Sequence, residues 1–257
     1  MTITAPAAAT AHPAGATTDP MRNHARAAGI FYLLTFVSSI PALILIGPVL
    51  HNADYVTSAG QDTRVLWGCL LDAVNALTAV GSAVALYPVV KRQNGSMALG
   101  FVTSRMLEAA VIMIGVVSLL AVVTMRQDFA GSSGGDAESL TAIANALVDV
   151  RNSTFLLGPG LMPAINAVLL GTLLYGARLV PRIIPTVGLI GAPLLLTAML
   201  ATYFGVIDQV SPVSALLTLP VAAWELSVGL WMTFKGFRPS PVLPTIVPSD
   251  TEAHSAA

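Results

Sequence analysis

The sequence predicts an all-α protein, a polytopic integral membrane bundle of about six transmembrane helices with both termini cytoplasmic. Three observations carry this. Hydrophobic residues make up 55% of the chain and charged ones only 10%, with a mean hydropathy of +0.77, more apolar than a water-facing surface tolerates. The apolar residues fall in runs of about 20 or more, the length a helix needs to cross roughly 30 Å of hydrocarbon. Those runs lack the period-two alternation of a transmembrane β-strand, so each must satisfy its own backbone as a helix.

Residues 1–26, rich in Ala, Thr and Pro, contain no apolar core ahead of the first span. They predict a disordered cytoplasmic tail and no cleaved signal peptide. Six spans follow at about 27–50, 64–90, 97–125, 152–179, 186–207 and 213–234, within one transmembrane domain, 27–236. Residues 237–257, with Pro239, Pro241, Pro244 and Pro248, predict a second disordered tail. An exterior loop, 126–151, joins the third and fourth spans. It opens with the flexible RQDFAGSSGGDAE and continues into ESLTAIANALVDVRN, where Leu140, Ile143, Leu147 and Val150 recur at helical spacing and predict an amphipathic helix. Run together with the fourth span, Glu138 to Leu179 would make a helix of about 60 Å, twice what a bilayer needs. A break is therefore expected at GPG, Gly158 to Gly160, ahead of Pro163.

Orientation follows from the basic residues beside the spans. Arg22, Arg26, Lys91, Arg92, Arg178, Arg182, Lys235 and Arg238 share one side if the spans alternate, against Arg64, Arg126 and Arg151 on the other. The richer side is cytoplasmic by the positive-inside rule.

Several function classes lose support on composition. A net charge of -1 without a dense basic cluster argues against nucleic acid as a partner. The single cysteine, Cys69, cannot form an internal disulfide and reads as a small buried hydrophobe. His12, His24, His51 and His254 lie outside the spans without metal or haem spacing, and neither Ser104 nor Ser227 has a histidine to activate it. No catalytic residue, cofactor or metal ligand is assigned, and the chain is expected not to be an enzyme. Its expected partner is the lipid bilayer. Small-residue faces such as Gly188 and Gly191 suit association with another copy or membrane protein, and equally suit packing within one chain.

The charges inside the spans are the informative residues, because ionisable groups in hydrocarbon are costly and mark functional or pairing sites. At about 1.5 Å of rise per residue, Arg105 lies about 12 Å from the basic end, Glu225 about 14 Å, Glu108 about 17 Å and Asn166 about 17 to 20 Å. Asn75 falls near 22 Å and Asp72 near 27 Å from the same end. The candidate polar cluster is therefore Arg105, Glu108, Glu225, Asn166, Asn75 and Asp72, with Glu225 the expected partner of Arg105 and Asp72 too far for a direct bond. Polar and small residues also share faces, Gly68, Asp72, Asn75, Ala79 and Ser82 on the second span and Ser214, Thr218, Glu225 and Gly229 on the sixth. Those faces should point into the bundle.

The blocks AGIFYLL, ALYPVVKRQNGSMALGFVTSRMLEAA, LVPRIIPTVGLIGAP and PVAAWELSVGLWMTFKG resemble the successive signatures of a bacterial six-helix membrane family, domain of unknown function 4386. The resemblance spans about Arg26 to Gly236. The Arg of the third span and the Glu-Leu-Ser of the sixth are its most specific part, and the polar N-terminal tail and the Gly/Pro-rich start of the fourth span depart from the pattern. It implies a fold and a multi-pass location in the bacterial inner membrane, and no activity. Three readings of function stand in descending order: a structural or accessory membrane protein stabilised by the cluster, a small-solute or proton-coupled transporter that uses it, and an intramembrane enzyme.

Overall fold

The computed structural model describes residues 20–130 and 136–240. Eight helices follow one another, α1 (Pro20–Leu45), α2 (Gly47–Leu50), α3 (Asp62–Val90), α4 (Gly95–Ala130), α5 (Ala137–Leu157), α6 (Met162–Ala177), α7 (Ile183–Tyr203) and α8 (Pro212–Phe234), with no strand among the described residues. Six segments are long and apolar enough to cross a membrane, α5 and α6 counting together as one. This is a multi-pass helical membrane protein.

The long helices close a ring in chain order. α1 packs on α3, α3 on α4, α4 on α6, α6 on α7, α7 on α8, and α8 returns to α1. Every step but the closing α8–α1 contact joins successive spans, which is the arrangement short connections favour. Small residues set the closest approaches. A Cβ on Gly188 of α7 would strike the indole of Trp224 on α8, and one on Gly191 would strike Val221. The Gly188 and Gly191 face is thus occupied by α8 of the same chain. Most span hydroxyls, among them Ser38, Thr78, Ser118, Thr172, Thr197, Thr218 and Thr233, donate to a carbonyl three or four residues back in their own helix. Their polarity is thereby absorbed locally and asks for no partner in lipid.

Capping explains where several helices begin. Asp136 accepts from the amides of Glu138 and Ser139 at the start of α5, Ser211 accepts from Ser214 at the start of α8, and Asn94 accepts from Met97 in the first turn of α4. The Ser139 hydroxyl and amide together hold the Asp136 carboxyl below its ordinary range.

The expected break is present. Helix α5 stops at Leu157, and Gly158 to Leu161 form a turn before α6 starts at Met162 with Pro163 in its first turn. Three boundaries differ from the sequence-based expectation. Helix α1 starts at Pro20, so the stretch 20–26 is helical rather than tail, and Ala25 is fully buried. Residues 1–19 lie outside the described residues. At the other end Phe237 packs on the core, and the Arg238 amide donates to the Leu179 carbonyl at 2.8 Å. The Ser240 hydroxyl donates to the Ala177 carbonyl at 2.6 Å. The expected C-terminal tail is thus anchored over 237–240, and 241–257 lie outside the described residues. Helix α4 runs on to Ala130, so 126–130 are helix rather than loop, whereas α5, from Ala137, is the helix expected later in that loop. The fourth span is split at that break, its residues 152–157 belonging to α5 and the rest starting with α6 at Met162.

Helix α5 also turns a different face inward. Ala144 and Arg151 are buried and Leu140, Leu147 and Val148 pack on the core, while Ile143 and Val150 are exposed. The expected stripe was half right. Helical spacing fits both Leu140–Ile143–Leu147–Val150 and Leu140–Ala144–Leu147–Arg151, and apolarity alone favours the first.

Candidate functional site

Two polar sites lie inside the bundle, and each is built from helices that the ring brings together. The first is centred on Arg105, which α4 presents to the middle of the ring. Its Nη1 donates to Glu108 Oε2 at 3.1 Å, one turn along α4, and its Nη2 donates to Glu225 Oε1 of α8 at 2.7 Å. Asn166 Nδ2 of α6 donates to the same Glu108 oxygen at 2.8 Å. The guanidinium carbon stands 4.9 Å from the ring centroid of Tyr32 on α1 and 5.9 Å from that of Phe101, close enough for a cation–π contact.

One cation here serves two carboxylates, with the Asn166 amide as an extra donor. Arg105, Glu108 and Asn166 are buried, and the Glu225 side chain is 14% exposed at the rim. The apolar cluster around the network includes Tyr32, Phe101, Leu170, Leu174, Trp224 and Val228. Four polar atoms in this neighbourhood, Tyr32 Oη, Arg105 Nε, Asn166 Oδ1 and Trp224 Nε1, are buried without a hydrogen-bond partner in the protein. The network thus joins α1, α4, α6 and α8 across the ring.

The structure therefore brings together Arg105, Glu108, Glu225 and Asn166, and leaves Asp72 and Asn75 out of that network. Both belong to a second site that sequence reasoning missed. Arg151 was expected as a basic residue beside the exterior end of a span. Instead it is buried at 5% exposure, with Nη2 3.8 Å from Asp72 Oδ2 and its guanidinium carbon 4.5 Å from the Phe155 ring centroid. The signal that could have found it was the equal regularity of the Ala144–Arg151 face.

Asp72, Asn75 and Arg151 border a half-enclosed cavity of about 200 Å³ together with Ser39, Ile40, Leu43, Ile112, Gly115, Thr154, Phe155 and Pro159. Helices α1, α3, α4 and α5 supply the walls and the α5–α6 break supplies Pro159. Gly115 favours this: a Cβ there would collide with the Thr154 hydroxyl and force that side chain of α5 to move.

A third polar contact ties the loop after α2 to the end of α4. Arg126 forks onto Asp62, with Nη2 to Oδ2 at 2.7 Å, while its Nη1 donates to the Ser58 carbonyl at 3.1 Å. The Tyr55 hydroxyl donates to Asp62 at 2.8 Å. Burial, and then that hydrogen bond, push the Tyr55 phenol above its ordinary value. Bidentate pairing of this kind fixes geometry, and here it latches a loop.

The basic residues at the opposite end sit on aromatic rings. Lys91 Nζ is 5.2 Å from the Tyr87 centroid, and the guanidinium carbons of Arg182 and Arg238 are each 4.9 Å from Tyr175 and Trp231. Such pairs suit an interface where amphipathic rings and long basic chains meet headgroups.

No curated protein and no solved structure matches the chain closely enough to be compared. Its residues 27–236 match the family model described as a domain of unknown function (DUF4386), and the chain belongs to that family.

Proposed function

We propose that this is a non-catalytic multi-pass protein of the cell membrane in which the Arg105 network is a structural clasp. The single observation that carries the reading is that one buried guanidinium hydrogen-bonds both Glu108 of its own helix and Glu225 across the ring. Breaking a buried pair from one side leaves an uncompensated charge, at a cost of about 3–5 kcal/mol, whereas removing both partners costs far less. Arg105→Gln alone strands both Glu108 and Glu225 and should therefore lower the yield of folded protein in detergent. The triple variant Arg105→Gln/Glu108→Gln/Glu225→Gln, which leaves no charge in the network, should recover much of it, because coupled losses do not add. Equal or greater loss in the triple variant would refute the clasp.

A transport reading comes second, and a specific observation favours it. The α5–α6 discontinuity borders a cavity that holds the buried Arg151, and broken helices beside polar cavities are how membrane carriers expose backbone and charge to a solute. Uptake by reconstituted vesicles of a labelled solute, abolished in a well-folded Arg151→Gln variant, would place transport first.

A further inference from the structure

We propose that the Asp72–Arg151 cavity is a binding site for a small zwitterion with an apolar side group, of amino-acid size. The site shares no residue with the Arg105 clasp and stands whether or not the clasp reading holds. Arg151 is buried, yet its side chain makes no hydrogen bond among the described residues and reaches Asp72 only at 3.8 Å, beyond hydrogen-bond range. Asp72 and Asn75, which line the same cavity, likewise make no side-chain hydrogen bond among the described residues. A buried guanidinium is costly unless its donors are used. Contrast Arg105, which is equally buried and has two strong hydrogen bonds.

The chemistry of the walls selects the occupant. A cation and a carboxylate stand side by side, so a ligand carrying a carboxylate next to an ammonium group matches both, the carboxylate on the Arg151 fork and the ammonium on Asp72. Asn75, Ser39 and Thr154 add neutral hydrogen-bonding groups to the lining. The rest of the lining, Ile40, Leu43, Ile112 and Phe155, is apolar and receives a hydrophobic side group. A space of about 200 Å³ admits one such molecule.

The test uses the purified full chain in detergent. Thermal stability is followed with the twenty common amino acids at millimolar concentration, and L-leucine is set against 4-methylpentanoate, which lacks the ammonium, and against leucinamide, which lacks the carboxylate. At least one apolar amino acid should raise the melting temperature, and removing either charged group from leucine should weaken binding about tenfold or more. Arg151→Gln and Asp72→Asn should each abolish the shift. Should either fail to fold, Ser39→Trp, which fills the cavity from α1 and leaves both charges intact, should abolish it as well. No shift with any amino acid, an equal shift with 4-methylpentanoate, or a shift that survives in all three variants would overturn the assignment.

Discussion

At the residue scale, Tyr32 and Arg105 make opposite predictions from adjacent positions. The Tyr32 hydroxyl is buried without a partner while its ring faces the guanidinium. An unpaired buried polar group is a net cost of about 1–3 kcal/mol. Tyr32→Phe keeps the ring and removes that cost, so it should leave the melting temperature unchanged or raise it. Arg105→Lys keeps the charge but loses the fork that reaches Glu108 and Glu225 together, and it should lower stability by roughly 2 kcal/mol or more. Thermal unfolding in detergent checks both, and a destabilised Tyr32→Phe would mean that its hydroxyl is paired. The clasp was legible because depth can be counted: Arg105, Glu108, Glu225 and Asn166 share a level when rise per residue is applied from the basic end. The Asp72–Arg151 pair was not, because Arg151 follows the loop in sequence and reads there as a flanking charge. Only its position on the buried face of α5, which sequence spacing leaves tied with its neighbour face, brings it to Asp72.

At the element scale, α5 and α7 test how helix faces are chosen. In α5 the buried Ala144 packs in the cluster that includes Val116, Leu119 and Val123, while Ile143 is 55% exposed. Ala144→Leu should cost about 1–3 kcal/mol by overpacking, and Ile143→Ser should stay within about 0.5 kcal/mol. The reverse ranking would restore the Ile143–Val150 face. In α7, Gly188 abuts Trp224, so Gly188→Val must push α7 off α8 and open the fully buried indole. A red shift and easier quenching of tryptophan emission, absent in Trp224→Phe, would report it. The spans themselves were legible because apolar runs are long and their ends are charged. The ends of α1 and α4 were not, since Arg22, Arg26 and Gln127 are polar residues that a helix carries past the hydrocarbon as readily as a loop does.

At the scale of the whole molecule, the ring has two unlike ends, and the difference bears on how it sits in a membrane. The clasp, Trp224 and the tightest part of the core belong to the end where Arg178, Arg182, Lys91, Lys235 and Arg238 gather, and there the chain after α8 is tied back to the C-terminal end of α6. Towards the other end α8 loosens: Val213, Leu216 and Leu219 are exposed, whereas Val221, Trp224, Val228 and Met232 are buried. The cavity lies in this looser half. Arg64 and Arg126 remain there, but Arg151 is withdrawn into the interior and no longer counts as a flanking charge, which makes the basic asymmetry steeper than the sequence alone suggests. The steeper bias predicts that the clasp end faces the cytoplasm. Single cysteines at the exposed Ser96 and Glu138, in a Cys69→Ala background, separate the ends. Position 138 should react with a membrane-impermeant maleimide in intact cells, and position 96 only after the membrane is opened; labelling of position 96 in intact cells would invert the topology and place the Asp72–Arg151 cavity on the cytoplasmic half.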